Sequence, residues 1–324
     1  MDLDRASGVA TVWLDRPDAH NALGRAFFDE VPTVMVALSD NSTVRVVVIA
    51  ARGRDFSVGL DLKEMGTTLL GGPWNVTRPA GAPPTSSQGD PPTSSQGDPP
   101  TSSQGDPPTR SQGDPPTRSQ GDPPTRSQGG APASPAARAA ETRRAILRLQ
   151  RAINAIADCP KPVVAAIQGY CLGAGMDLVT ACDIRLASAE AVFGIRETRM
   201  AITADLGTLQ RLPRIVGAGH VAELALTGKD LDARRAREIG LVNEVYPDHA
   251  ALLSAATSMA REIAALSPLA VQGTKAVLAA NDGRTIAQAL DYVATWNAGM
   301  LASDDLTEAV RAFMERRPPR FTGT

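Results

Sequence analysis

Aromatic residues make up only 4% of the 324-residue chain, too few to suggest a cofactor box of stacked rings, and Trp13, Phe193 and Trp296 are expected in the core. A basic excess is missing too: 33 Lys and Arg against 35 Asp and Glu leave a net charge of -2, which argues against a nucleic-acid partner. Cys159, Cys171 and Cys182 are the only cysteines and form no CxxC pair, so neither a disulfide framework nor a zinc site is suggested, and a reducing compartment fits. His20, His220 and His249 have no metal-ligand spacing and no Ser-Asp neighbourhood. Gly53 and Gly59 are wrongly spaced for a dinucleotide fingerprint. No metal site and no cofactor are therefore expected. No apolar run approaches membrane-spanning length, Met1 to Val12 lacks the apolar core of a leader, and Thr322-Gly323-Thr324 is not a peroxisomal tripeptide. The expectation is a cytoplasmic chain with no membrane partner.

What is present is 43% hydrophobic and 21% charged, enough for one large core or two modest ones. An octapeptide recurs six times between Pro83 and Gly130, three copies with Pro-Pro-Thr-Ser-Ser-Gln-Gly and three with Pro-Pro-Thr-Arg-Ser-Gln-Gly. It has no aliphatic or aromatic side chain whose burial could offset the entropy of ordering. Residues 71–137 are accordingly expected to be a disordered insert, with its repeats at 83–130. The insert divides a core into residues 1–70 and 138–245, and residues 246–324 form a helical region.

Val9 to Leu14 and Arg45 to Ala50 read as β-branched strands around a helical pattern from Leu23 to Leu38. Beyond the insert, Ile146, Leu149, Ile153 and Ile156 recur at helical spacing, and Pro160 and Pro162 require that helix to stop. Val163 to Ile167 predicts a strand, Ala174 to Cys182 a buried helix, and Ile184 to Ala187 another strand. From Val221 onward helical patterns dominate.

Two glycine turns follow strands, Phe56 to Met65 and Gly169 to Asp177. Each could open a helix whose unpaired N-H groups face an oxyanion, although such turns more often only reverse the chain. Asp177, Glu197 and Asp205 sit among small and apolar residues, where burial raises proton affinity and suits acid/base work. Taken alone, Asp177 could equally cap a helix, and Glu197 could pair on the surface with Arg196 or Arg199.

Phe56 to Met65 and Lys161 to Asp183 resemble the two signatures of the crotonase (enoyl-CoA hydratase/isomerase) superfamily. The resemblance continues through Gly207 to Arg214, Leu226-Thr227-Gly228 and Ala236 to Val242. It implies an α/β fold, a ClpP-like spiral of β-β-α units with C-terminal helices that mediate trimerisation, in a homotrimer or hexamer. It also implies an acyl-CoA thioester as substrate, an oxyanion hole made by the backbone N-H groups of Leu60 and Ala174, and CoA contacts along Val58, Gly59, Leu60, Asp61, Leu62 and Ala174. Lys63 could meet a CoA phosphate or an exposed salt bridge. The trio Asp177, Glu197 and Asp205 resembles the branch that converts 3,5-dienoyl-CoA to 2,4-dienoyl-CoA in fatty-acid β-oxidation. That resemblance assigns Glu197 as base at C2, Asp205 as acid at C6 and Asp177 as a tuning group. Alternatives are an enoyl-CoA hydratase, or a catalytically silent assembly protein that uses the repeats as a tail.

Overall fold

The computed structural model describes residues 1–69 and 134–324, and the repeats of the expected insert lie outside them. Strands β1 (Asp2–Asp4), β2 (Val9–Leu14) and β3 (Val46–Ala51) begin a six-stranded sheet, with helix α1 (Arg25–Asp40) between β2 and β3. Helix α2 (Leu62–Leu69) ends the first described segment. The second opens with α3 (Pro135–Ala157), so the helix predicted from Ile146 to Ile156 extends back across three residues assigned by sequence to the insert.

Next come β4 (Val163–Ile167), β5 (Tyr170–Leu172), α4 (Ala174–Thr180), β6 (Ile184–Ser188) and β7 (Val192–Gly194). They are followed by α5 (Thr208–Arg211), α6 (Ala218–Thr227), β8 (Asp230–Asp232), α7 (Ala233–Glu238) and β9 (Glu244–Tyr246). Four helices close the chain: α8 (His249–Ala264), α9 (Pro268–Ala280), α10 (Ile286–Met300) and α11 (Asp304–Glu315). The large sheet has the order β1-β2-β3-β4-β6-β9 and is parallel except for β1 on β2; the small one is β5-β7-β8.

All six residues of β3 are buried, as a strand covered on both faces requires. Alternation assigns Val47, Ile49 and Ala51 to one face, packed with Phe28, Met35 and Leu38 of α1 and Leu149, Ile153 and Ile156 of α3. Val46, Val48 and Ala50 face the other way, against Leu252, Ala256, Ala260 and Ala264 of α8. Alanine at every fourth position gives α8 a smooth stripe that lies close on the sheet. Each fully buried Ile or Leu along these seams contributes roughly 1.5–3 kcal/mol.

The C-terminal helices are well capped but less buried. Thr285 and Gln288 form a capping box at α10, while Ser267 and Ser303 cap α9 and α11. Asp305 ties in the end of the chain, accepting from Thr322 N at 2.8 Å and Ser267 Oγ at 2.6 Å. A cavity of about 1300 Å³ lies beside these helices, lined by Ile184, Leu266, Leu278, Trp296 and Leu301 among others.

Candidate active site

Three chain segments run in parallel to one edge and bring together residues far apart in sequence. In the small sheet Leu172 pairs with Gly194, so the residues after β5, Gly173 and Ala174, emerge beside those leading from β7 to Glu197. An isolated parallel bridge between Ser57 and Cys171 adds the turn that leads to Leu60. That turn is tied on one side by Ser57 N to Tyr170 O (2.8 Å) and Leu172 N to Ser57 O (2.9 Å). On the other, Leu23 N donates to Gly59 O (2.7 Å) and Asp61 N to Leu23 O (3.0 Å).

Two N-H groups are left over, those of Leu60 and Ala174. Among the described residues neither meets an acceptor, because Leu60 lies between the two bonds to Leu23 and Ala174 opens α4. The two turns touch: a Cβ on Gly59, which has φ +98°, would fall 3.0 Å from Leu172 O and 3.5 Å from Ala174 N. Only glycine fits there, both for its conformation and for the close approach.

Of the three predicted carboxylates Glu197 lies against these turns, and Asp177 and Asp205 are near enough for their charges to act on it. Glu197 lies on a 3-10 turn, Glu197–Met200, and its Oε1 is 3.5 Å from where a Cβ on Gly173 would sit. Its Oε2 is buried and meets no partner among the described residues. Burial, and next the negative charge of Asp177, push its pKa up to about 7. The surface ion pair considered for Glu197 does not form: Arg196 instead grips Asp230 with bonds of 2.9 and 2.6 Å.

Asp177, 1% exposed one turn into α4, accepts from Thr208 N (2.6 Å) and Thr208 Oγ1 (2.7 Å). Burial raises its pKa to about 6 in spite of these bonds, and Asp205 adds to the rise. Asp205 is half-buried in the loop before α5, and desolvation raises its pKa as well. Three acids raised by burial, two of them further by a neighbouring carboxylate, beside two N-H groups that meet no acceptor among the described residues, form a site able to hold an oxyanion and to move protons along one ligand.

The remaining predicted contacts divide. Val58, Gly59 and Leu60 form the turn itself, and Leu62 is exposed on α2. The Asp61 side chain is already engaged: Oδ1 accepts from Lys63 N and Glu64 N at the start of α2, and Oδ2 accepts from Arg16 at 2.9 Å. Burial opposes its ionisation, but these donors win and hold its pKa below the usual value. Its part is to cap α2, with its backbone left to line the turn. Sequence reasoning assigned no role to Thr208, Gln150 or Arg211: Thr208 comes into play where α5 meets α4, and Gln150 and Arg211 where α3 meets the segment around Asp205.

The enoyl-CoA hydratase/isomerase family model matches residues 4–74 and 129–324. The chain is 39% identical to the Δ(3,5)-Δ(2,4)-dienoyl-CoA isomerase, peroxisomal, of Arabidopsis thaliana, over 97% of this chain and 93% of that protein. It is 35% identical to the mitochondrial protein of that name from Dictyostelium discoideum, over 99% and 90%. An enoyl-CoA hydratase structure from Bacillus anthracis superposes with a TM-score of 0.73 at 25% identity, covering 98% of this chain and 96% of that one. One from Mycobacterium smegmatis gives 0.72 at 25% identity, over 99% and 97%. Relatives named as peroxisomal and mitochondrial overturn the expectation of a cytoplasmic chain, which rested on the unpaired cysteines, the N-terminal residues, the short apolar runs and a tripeptide. A model matching both sides of the repeats, long relatives above 30% identity and the crotonase architecture agree: the chain belongs to the enoyl-CoA hydratase/isomerase family.

Proposed function

We propose that this protein converts 3,5-dienoyl-CoA to 2,4-dienoyl-CoA, as a step in the β-oxidation of unsaturated fatty acids. The observation that carries the proposal is the position of Glu197, half-buried with its Oε2 enclosed over the Gly173 turn, beside two N-H groups that meet no acceptor among the described residues and within electrostatic reach of two more acids. The names of the full-length relatives support the same reaction.

Removing a C2 proton from a 3,5-dienoyl thioester leaves a dienolate with charge on oxygen, C2, C4 and C6. The Leu60 and Ala174 amides stabilise the oxygen, a contribution of roughly 3–4 kcal/mol per donor in comparable sites. Glu197 takes the C2 proton and Asp205 delivers one to C6, so the reaction balances with no net proton. One proton returned to Asp205 and one lost from Glu197 reset the site. Proton transfer between carboxylates requires no metal or redox cofactor. Burial, and after it the charge of Asp177, keep the proton affinity of Glu197 high enough for it to act as a base near neutrality. Val58 to Leu62 and Ala174 hold the thioester end, with Lys63 toward a CoA phosphate.

The protein further assembles as a homotrimer or hexamer through its C-terminal helices. α10 has no buried residue, and Ile286, Leu290 and Leu301 are exposed, an apolar surface suited to a second copy. Light scattering of the purified chain tests the assembly. The reaction is tested by offering 3,5-dienoyl-CoA and 2-enoyl-CoA and identifying the products by ultraviolet absorbance and mass. Formation of 2,4-dienoyl-CoA supports the proposal; a hydrated 2-enoyl product with no isomerisation makes the protein a hydratase.

A further inference from the structure

The three carboxylates are anchored by different means. Asp177 is fixed on α4 and bonded to Thr208, and the turn of Glu197 is clamped by the Arg196–Asp230 fork and by Thr198 Oγ1 donating to Ala225 O at 3.1 Å. Asp205 has no such support from its own segment. Residues 202–207 belong to no helix or strand, and no backbone amide from Thr203 to Leu206 donates to another backbone carbonyl among the described residues.

Support comes instead from α3. Gln150 Nε2 donates to the Asp205 carbonyl oxygen at 2.6 Å. One turn further along, Asn154 Oδ1 accepts from Arg211 Nη2 at 2.5 Å, and Arg211 Nη1 reaches Leu206 O at 3.4 Å. Gly207, with φ +129°, lets Arg211 cross the chain: a Cβ there would fall 1.9 Å from Arg211 Nη1. Gln150 and Asn154 are four residues apart and share a face, while Leu149, Ala152, Ile153 and Ile156 bury the opposite side of α3 in the core. A rigid helix thus sets the position of a loop that has little hold on itself.

We propose that Gln150 is a positioning residue for Asp205: its amide holds the loop so that the carboxylate meets the far end of the conjugated acyl chain, without touching substrate itself. The proposal rests on the dienoyl isomerisation proposed above. Gln150 makes no bond to Asp177 or Glu197, so its loss acts on one of the two proton transfers and spares the other.

The test is Gln150→Met, which keeps length and removes the donor, with Gln150→Glu as a second variant of nearly the same shape. Each is given 3,5-dienoyl-CoA in D₂O, and two rates are followed: deuterium entry at C2 of recovered substrate, and appearance of the 2,4-dienoyl product. The expected result is a product rate lowered about 10-fold, the consequence of losing one hydrogen bond. C2 exchange, KM and melting temperature stay at wild-type values. Parallel loss of exchange and product formation, or loss of neither, overturns the positioning role. A wild-type protein that forms no 2,4-dienoyl product overturns the underlying function instead, so the two failures are distinguishable.

Discussion

The Asp177 carboxylate accepts two hydrogen bonds from Thr208, whose backbone N at 2.6 Å and Oγ1 at 2.7 Å converge on the same oxygen, Oδ1. An asparagine keeps an oxygen acceptor there, so Asp177→Asn removes a charge with little disturbance of geometry. The pKa of Glu197 is raised first by burial and next by this charge, to about 7. A base acts when ionised, so activity is lost as pH falls through that value. Removing the like charge lowers the pKa, and the acid limb of the kcat/KM profile of Asp177→Asn is expected to move to lower pH. A limb that stays in place, or moves up, contradicts the tuning role of Asp177.

Glu197→Gln and Asp205→Asn are expected to lower isomerisation by about 10²–10⁴-fold, the range for loss of a general acid or base. CoA-thioester affinity, measured by calorimetry, should be nearly unchanged. The two variants differ in one respect. Asp205→Asn leaves the base at C2 in place and keeps solvent exchange there, whereas Glu197→Gln loses it. Exchange retained in Glu197→Gln would assign the C2 base to another residue.

Gly59→Ala tests the oxyanion geometry from the backbone. The added methyl would lie 3.0 Å from Leu172 O and 3.5 Å from Ala174 N, at a φ of +98° that alanine resists. The turns must part, and the Leu60 and Ala174 amides then no longer converge on one oxygen. The expected loss is about 10²–10³-fold in kcat, as when an oxyanion donor is removed, with a smaller effect on KM. Unchanged kcat in a folded variant would place the thioester oxygen elsewhere.

The parts of this architecture that were legible in the sequence are those set by local pattern. β2 and β4 fall at their predicted bounds, β4 as a short apolar run buried throughout and β2 as a β-rich run that is half-buried in its middle. α3 stops at Ala157, three residues short of Pro160. The small sheet was not anticipated: β5, β7 and β8 are three residues each, too short to carry a period of their own, and exist only because they pair with one another. Motif resemblance singled out Asp177, Glu197 and Asp205, yet Arg196 beside Glu197 made a surface ion pair the simpler local reading. The pairing of Leu172 with Gly194 brings Glu197 to the Gly173 turn, and that of Gly194 with Asp230 sets Asp230 beside Arg196. Gln150 carries no local mark at all, because its partner Asp205 is 55 residues away.

A site that keeps carboxylates buried should destabilise the fold in a pH-dependent way. The folded-state pKa of Glu197, about 7, lies above its ordinary value of 4.5, so between these pH values the unfolded chain releases a proton that the folded chain retains. Stability from this group is full below the lower value and is lost as pH rises through the upper one. Glu197→Gln has no proton to lose, and its amide can donate toward the neighbouring Asp177 and Asp205. The variant is therefore expected to be more stable than wild type near pH 8, with the gap closing toward pH 5. The shift corresponds to at most ~3 kcal/mol, and coupling among the three acids together with partial exposure reduces it to about 1–2 kcal/mol. Urea unfolding of both proteins at the two pH values measures it, and a gap that widens toward low pH would mean that Glu197 is held ionised in the fold, where it would lack the proton affinity to act as base.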